Sequence, residues 1–201
     1  MVHLKRKGGK IWDIQKVNEF WTTLRAEKMA KEDYNFSEFI FPEFAKENFW
    51  TKGTEKIFDK EVDFESATFS SGVNFKNVTF SNGVYFYWVT FESKVNFNRT
   101  IFSGRANFKW ATFESKVDFN NTSFNDMTIF ENATFNGIVF FYNTIFSRWA
   151  VFYNVTFSSE ALFYDVTFSS ETHFEYATFS GKTDFNSTIF SNGTYFTNTT
   201  F

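Results

Sequence analysis

The chain has 201 residues, enough for one domain with a sizeable core, yet 34 of them are Phe, against one Pro and no Cys. A formal net charge of −3 and a pI near 5.5 leave no excess of cations to neutralise a phosphate backbone, which argues against a nucleic-acid binder. The lack of Cys removes disulfide frameworks and thiolate metal sites, and the reducing cytoplasm is the expected compartment.

Residues 1–10 read as a basic tail with Lys5, Arg6, Lys7 and Lys10. No apolar h-region lies behind it, and no stretch approaches the roughly 18 apolar residues of a membrane span. From Ile11 to about Glu32, the spacing of Ile14, Val17, Trp21 and Leu24 predicts one amphipathic helix. Residues 1–33 are thus expected to form a tail and a helical N-terminal cap, with Trp21 and Leu24 docked on the open end of a repeat array. Residues 34–61 carry Phe36, Phe39, Phe41, Phe44, Phe49 and Phe58 at partly regular intervals, with Pro42 and a polar interruption at 51–56. They read as an irregular first coil with an insertion.

Residues 62–201 obey a single rule. Phe recurs at alternating steps of five and six, through Phe64, Phe69, Phe75, Phe80, Phe86 and Phe91 to Phe190, Phe196 and Phe201, without a miss. Two residues before each Phe stands Val, Ala or Thr, from Val62 and Ala67 to Thr194 and Thr199. Each segment therefore offers a small inward residue, an outward residue and an inward Phe, the period-two alternation of a strand. Five or six residues hold one such strand and one turn, so repetition winds the chain into a solenoid.

Segments such as Val73-Asn74-Phe75-Lys76-Asn77 and Val117-Asp118-Phe119-Asn120-Asn121 resemble the pentapeptide-repeat family, whose motif is a small residue, Asp or Asn, Leu or Phe, and two polar residues. The resemblance covers residues 62–201. It implies an all-β fold, a right-handed quadrilateral β-helix with four faces per coil, here carrying an N-terminal α-helix. The alternating step departs from a plain five-residue period and gives 22 residues per coil, hence about six coils. The added position is often Gly or charged (Gly72, Gly83, Lys94, Arg105, Lys116, Gly193), as a bulged corner tolerates.

A solenoid filled by its own side chains has no inner cavity for a substrate, so no enzyme, no cofactor and no metal are expected. His173, with Glu175 two residues along, reads as a surface pair. The Asn-x-Thr sequons at Asn77, Asn98, Asn132, Asn154 and Asn198 arise from two outward columns, one favouring Asn and one Thr, and Asn columns can stack as amide ladders.

Outward aromatics are residues that the core does not require. At 22 residues per coil, Trp88 lies beneath Trp110, Phe140 beneath Leu162 and Tyr142 beneath Tyr164, forming patches; the second gains Trp149 at a corner, with Tyr153 across the coil. Exposed apolar patches mark partner surfaces, although aromatics also stabilise strands. The pattern at Phe201 stops without a polar terminal repeat, which leaves open a longer chain or two subunits stacked end to end. The expected function is a scaffold or protein-interaction module, binding a protein partner or itself through these aromatics or the C-terminal end. The resemblance implies a second possibility, mimicry of duplex DNA toward a type II topoisomerase such as gyrase. Residues 62–201 hold 12 Asp and Glu against 8 Lys and Arg, weak electronegativity for that role.

Overall fold

A computed structural model describes residues 14–42 and 57–201. The basic tail, the start of the helix at Ile11, Phe44, Phe49 and the 51–56 interruption lie outside the described residues.

The helix spans Ile14–Glu27 and stops short of the predicted Glu32. A short 3-10 turn, Met29–Lys31, comes next, and Glu32 adopts φ 52°. The Asp33 N–H donates to the Lys28 carbonyl and the Glu32 N–H to that of Met29, the two bonds of a Schellman stop. The Lys28 ammonium, 2.6 Å from the Asp33 carboxylate, braces this turn and holds the Asp33 pKa below its ordinary value. Val17, Trp21 and Leu24 are buried, and the Trp21 ring stacks on Phe41 at 6.1 Å. Phe20 meets Phe39 and Phe41 edge-on, so the apolar stripe of the helix lies against the first phenylalanines of the solenoid.

Four parallel sheets enclose those phenylalanines, and the chain visits them in a fixed order. The strands Val62–Asp63, Thr68–Phe69, Val73–Asn74 and Thr79–Phe80 open the first, second, third and fourth faces, and Val84–Tyr85 returns to the first. Each strand pairs in register with its equivalent one coil on, as Val117 does with Val139 and Phe102 with Phe124. Every such step is 22 residues, about six turns in all. The earliest strands deviate: Phe41 pairs with Phe69, a step of 28, while Phe58 pairs with Phe80, again 22. Six additional residues therefore fall between Phe41 and Phe58.

The alternation of five and six corresponds to two kinds of corner. Between the first and second faces, and between the third and fourth, the chain turns on two residues. The Ala67 N–H donates to the Phe64 carbonyl and the Val78 N–H to that of Phe75, with Ser66 and Asn77 at positive φ. This is the type II turn, whose third residue favours Asn or Gly. The motif's Asp or Asn is explained by the same corner. The Asn74 side-chain oxygen accepts the Lys76 N–H, the Asp118 carboxylate the Asn120 N–H, and Asn96 and Asp184 repeat the bond. Such side chains fix a turn by imitating a backbone carbonyl. The other two corners take three residues, which accommodates the sixth position.

Inside, each Phe stacks on its equivalent in the next coil. Ring centroids are 4.6 Å apart for Phe113 and Phe135 and 5.2 Å for Phe58 and Phe80, with planes 2° to 20° apart across the stack. Neighbouring stacks meet edge-on, as Phe75 and Phe86 do at 5.8 Å. Offset stacking and edge-to-face contact are the favoured aromatic arrangements, and this lattice supplies both. The buried hydroxyls of Thr100, Thr122 and Thr144 donate to the carbonyls of Phe75, Phe97 and Phe119, tying successive coils together. Val78 and Val166 occupy the same column, so Thr122→Val fits sterically. It is expected to cost about 1 kcal/mol in urea denaturation, the net worth of one buried hydrogen bond.

Candidate interaction surface

Trp88 and Trp110 occupy the third position of the type II turn that forms the corner between the first and second faces, with φ 54° and 61°. Elsewhere along the repeats this turn position is most often Asn (Asn77, Asn121, Asn132, Asn143, Asn154 and Asn198), the residue type that the left-handed conformation favours; Ser66, Arg99, Asp165, Tyr176 and Ser187 hold the rest. A bulky side chain there costs on the order of 1 kcal/mol. Trp88 and Trp110 nevertheless stay 51% and 44% exposed, so about half of each large aromatic residue is left facing solvent. Their rings are not stacked on one another: the Trp88 ring packs on Tyr87, at 4.3 Å. Beside Trp110, the Glu131 carboxylate accepts a hydrogen bond from the Lys109 ammonium at 2.8 Å, which raises that amine's pKa against the opposing effect of partial desolvation. Farther along the same corner lie Tyr153 and Tyr176, 5.2 Å apart, the latter also at positive φ. A search at 22-residue spacing misses Tyr176, because its contact runs diagonally to a residue 23 positions away.

Tyr142 and Tyr164 sit at the opposite corner, between the third and fourth faces, where they stack at 5.2 Å with planes 3° apart. Phe140 and Leu162, on the adjoining strands, are paired in register, and the Lys116 ammonium lies 4.2 Å from the centre of the Phe140 ring. Trp149 is separated from this patch. It directly precedes the first-face strand Ala150–Val151, and its ring neighbour is His173 on that face, at 6.2 Å. The three-residue corner carries it past the fourth face, so the expected union of Trp149 with Tyr142 and Tyr164 does not form.

His173 does meet Glu175, with Nδ1 3.0 Å from the carboxylate, and the structure adds Glu171 at 3.7 Å and a stacked Tyr195 ring. Burial and the nearby Glu61 carboxylate raise the pKa of Tyr85 on the same face. Among the described residues no group of three or more His, Cys, Asp or Glu is placed to hold a metal ion, and no helix is long and apolar enough to cross a membrane. The Asn ladders form as Asn143 to Asn121 at 2.9 Å and Asn154 to Asn132 at 2.7 Å.

A parallel β-solenoid whose interior is filled by stacked Phe, leaving side-chain chemistry to its outer columns, defines the class of protein. A family model described as Pentapeptide repeats (9 copies) matches residues 57–101 and 119–167. The chain belongs to the pentapeptide-repeat family. No match to it is found among the curated proteins or the solved structures.

Proposed function

We infer that this protein is a non-enzymatic scaffold that binds protein through its aromatic corners: Trp88 and Trp110 on one side, Tyr142, Tyr164, Phe140 and Leu162 on the other. The single observation that carries this reading is the pair of exposed tryptophans at positive φ, in a turn position that the repeat fills most often with Asn. A large aromatic that sits on an unfavourable backbone conformation and leaves about half its surface in solvent is explained by contact with something outside the fold. Large rigid aromatics are also the residue types that dominate binding hot spots.

The test is simultaneous alanine replacement of Trp88, Trp110, Tyr142 and Tyr164, with an unchanged circular dichroism spectrum as the control for folding. Capture of protein partners in pull-down experiments is expected to be lost; capture equal to that of the parent protein sinks the assignment. Duplex-DNA mimicry is the weaker reading, because the acidic residues are interleaved with cations, as in the Lys109–Glu131 and Lys182–Asp184 pairs. Gyrase supercoiling is accordingly expected to proceed unchanged with micromolar protein present.

A further inference from the structure

The fourth face carries a pattern that the aromatic corners do not use. Its outward column reads Ile57, Thr79, Ile101, Ser123, Ile145, Thr167 and Ile189, an isoleucine on every second coil with a smaller hydroxyl residue between. The four isoleucines are 50%, 40%, 43% and 56% exposed. At about 4.8 Å per coil they form ridges roughly 9.6 Å apart, separated by hollows. One edge of the face carries the turn column Asn77, Arg99, Asn121, Asn143, Asp165, Ser187; the other carries Asn82, Gly104, Asp126, Arg148, Ser170, Asn192. The only charges in these two columns are Arg99, Asp165, Asp126 and Arg148, and among the described residues none joins an ion pair within the chain. The Asp126 carboxylate accepts the Met127 N–H.

We propose that this face binds a second copy of the chain, running antiparallel, about a two-fold axis that lies between the two faces and passes between Ser123 and Ile145. In that register Ser123 faces the second copy's Ile145, Ile101 faces its Thr167, and Thr79 faces its Ile189. Ridge enters hollow at every step. The same operation sets Arg99 opposite the second copy's Asp165 and Asp126 opposite its Arg148, and symmetry doubles both pairs.

Charge selects this register among the antiparallel ones. A slide of one coil sets isoleucine against isoleucine and brings Asp126 onto Asp126 or Arg148 onto Arg148. A slide of two restores ridge to hollow but leaves none of the four charges paired. Parallel packing about an axis along the rod also opposes the isoleucines and sets Arg99 against Gly104 and Asp165 against Ser170. Self-complementarity of this kind is what an isologous dimer requires.

The face covers six coils, about 29 Å by roughly 15 Å, so the contact buries about 900 Å² in total, below the usual range for stable complexes. The dimer is therefore weak and reversible, and added salt weakens it further.

Sedimentation velocity across the micromolar range tests the proposal. The expected result is a monomer–dimer equilibrium that Arg99→Asp weakens by about tenfold or more, since it opposes like charges at two places. Adding Asp165→Arg to Arg99→Asp restores the pairing and is expected to return the dissociation constant to within about threefold of the parent value. Ile145→Lys breaks the dimer, whereas Trp88→Asn with Trp110→Asn leaves it intact and so separates this surface from the aromatic corners. All these positions face outward, and circular dichroism checks that each variant keeps its fold. A protein that stays monomeric throughout, a dimer indifferent to Arg99→Asp, or a double variant that is not rescued overturns the proposal.

Discussion

Replacing Phe119 by alanine is expected to remove about 3 to 5 kcal/mol of stability, as for any fully buried ring in the middle of the stack. The ring is fully buried, stacked on Phe97 at 4.8 Å and Phe141 at 5.0 Å, with edge contacts to Phe108 and Phe130. A cavity there cannot collapse, because the rings above and below are held at strand spacing by the paired backbone. Phe196→Ala is expected to cost far less, since its ring is exposed and stacks on one side alone, against Phe174. Urea denaturation of the two variants measures the difference. Equal losses would contradict a stack whose energy comes from two-sided burial.

Trp21→Ala is the second large effect, again about 3 to 5 kcal/mol, but its consequences are local. A helix of 14 residues is marginal by itself, so its order depends on the stripe formed by Val17, Trp21 and Leu24. Loss of the indole removes the stack on Phe41 and opens the first coil to water. In a solenoid each coil touches only its neighbours, so disorder spreads from the end inward. Hydrogen exchange is expected to show lost protection at 17–41, while the amides of Phe119 and Phe141 keep theirs. Uniform loss along the rod would contradict one-dimensional coupling between coils.

The Phe register and the small column beside it made the interior legible in the sequence, because a core this regular admits one arrangement. The helix was legible from its apolar spacing, though not its end: nothing in Glu32 signals a left-handed residue, and the stop is made by backbone bonds that Lys28 and Asp33 reinforce. Corner geometry was the larger gap. A step of six does not say whether the added residue turns a side chain toward the fourth face or past it, and Trp149 went past. The left-handed turn position was visible as Asn recurring at multiples of 11, but the same residues also read as sequons, so the conflict posed by Trp88 and Trp110 emerged only with the backbone angles. Self-complementarity of the fourth face likewise needed the faces to be sorted before its columns could be opposed.

Whether the corner tryptophans serve the fold or something outside it is decided most directly by the stability of Trp88→Asn combined with Trp110→Asn. If they serve an outside contact, urea denaturation of this double variant gives a protein as stable as the parent or more stable, by about 0.5 to 1 kcal/mol per site, because Asn relieves the left-handed backbone. A loss of stability of similar size would contradict that role, by showing that the tryptophans hold the solenoid together.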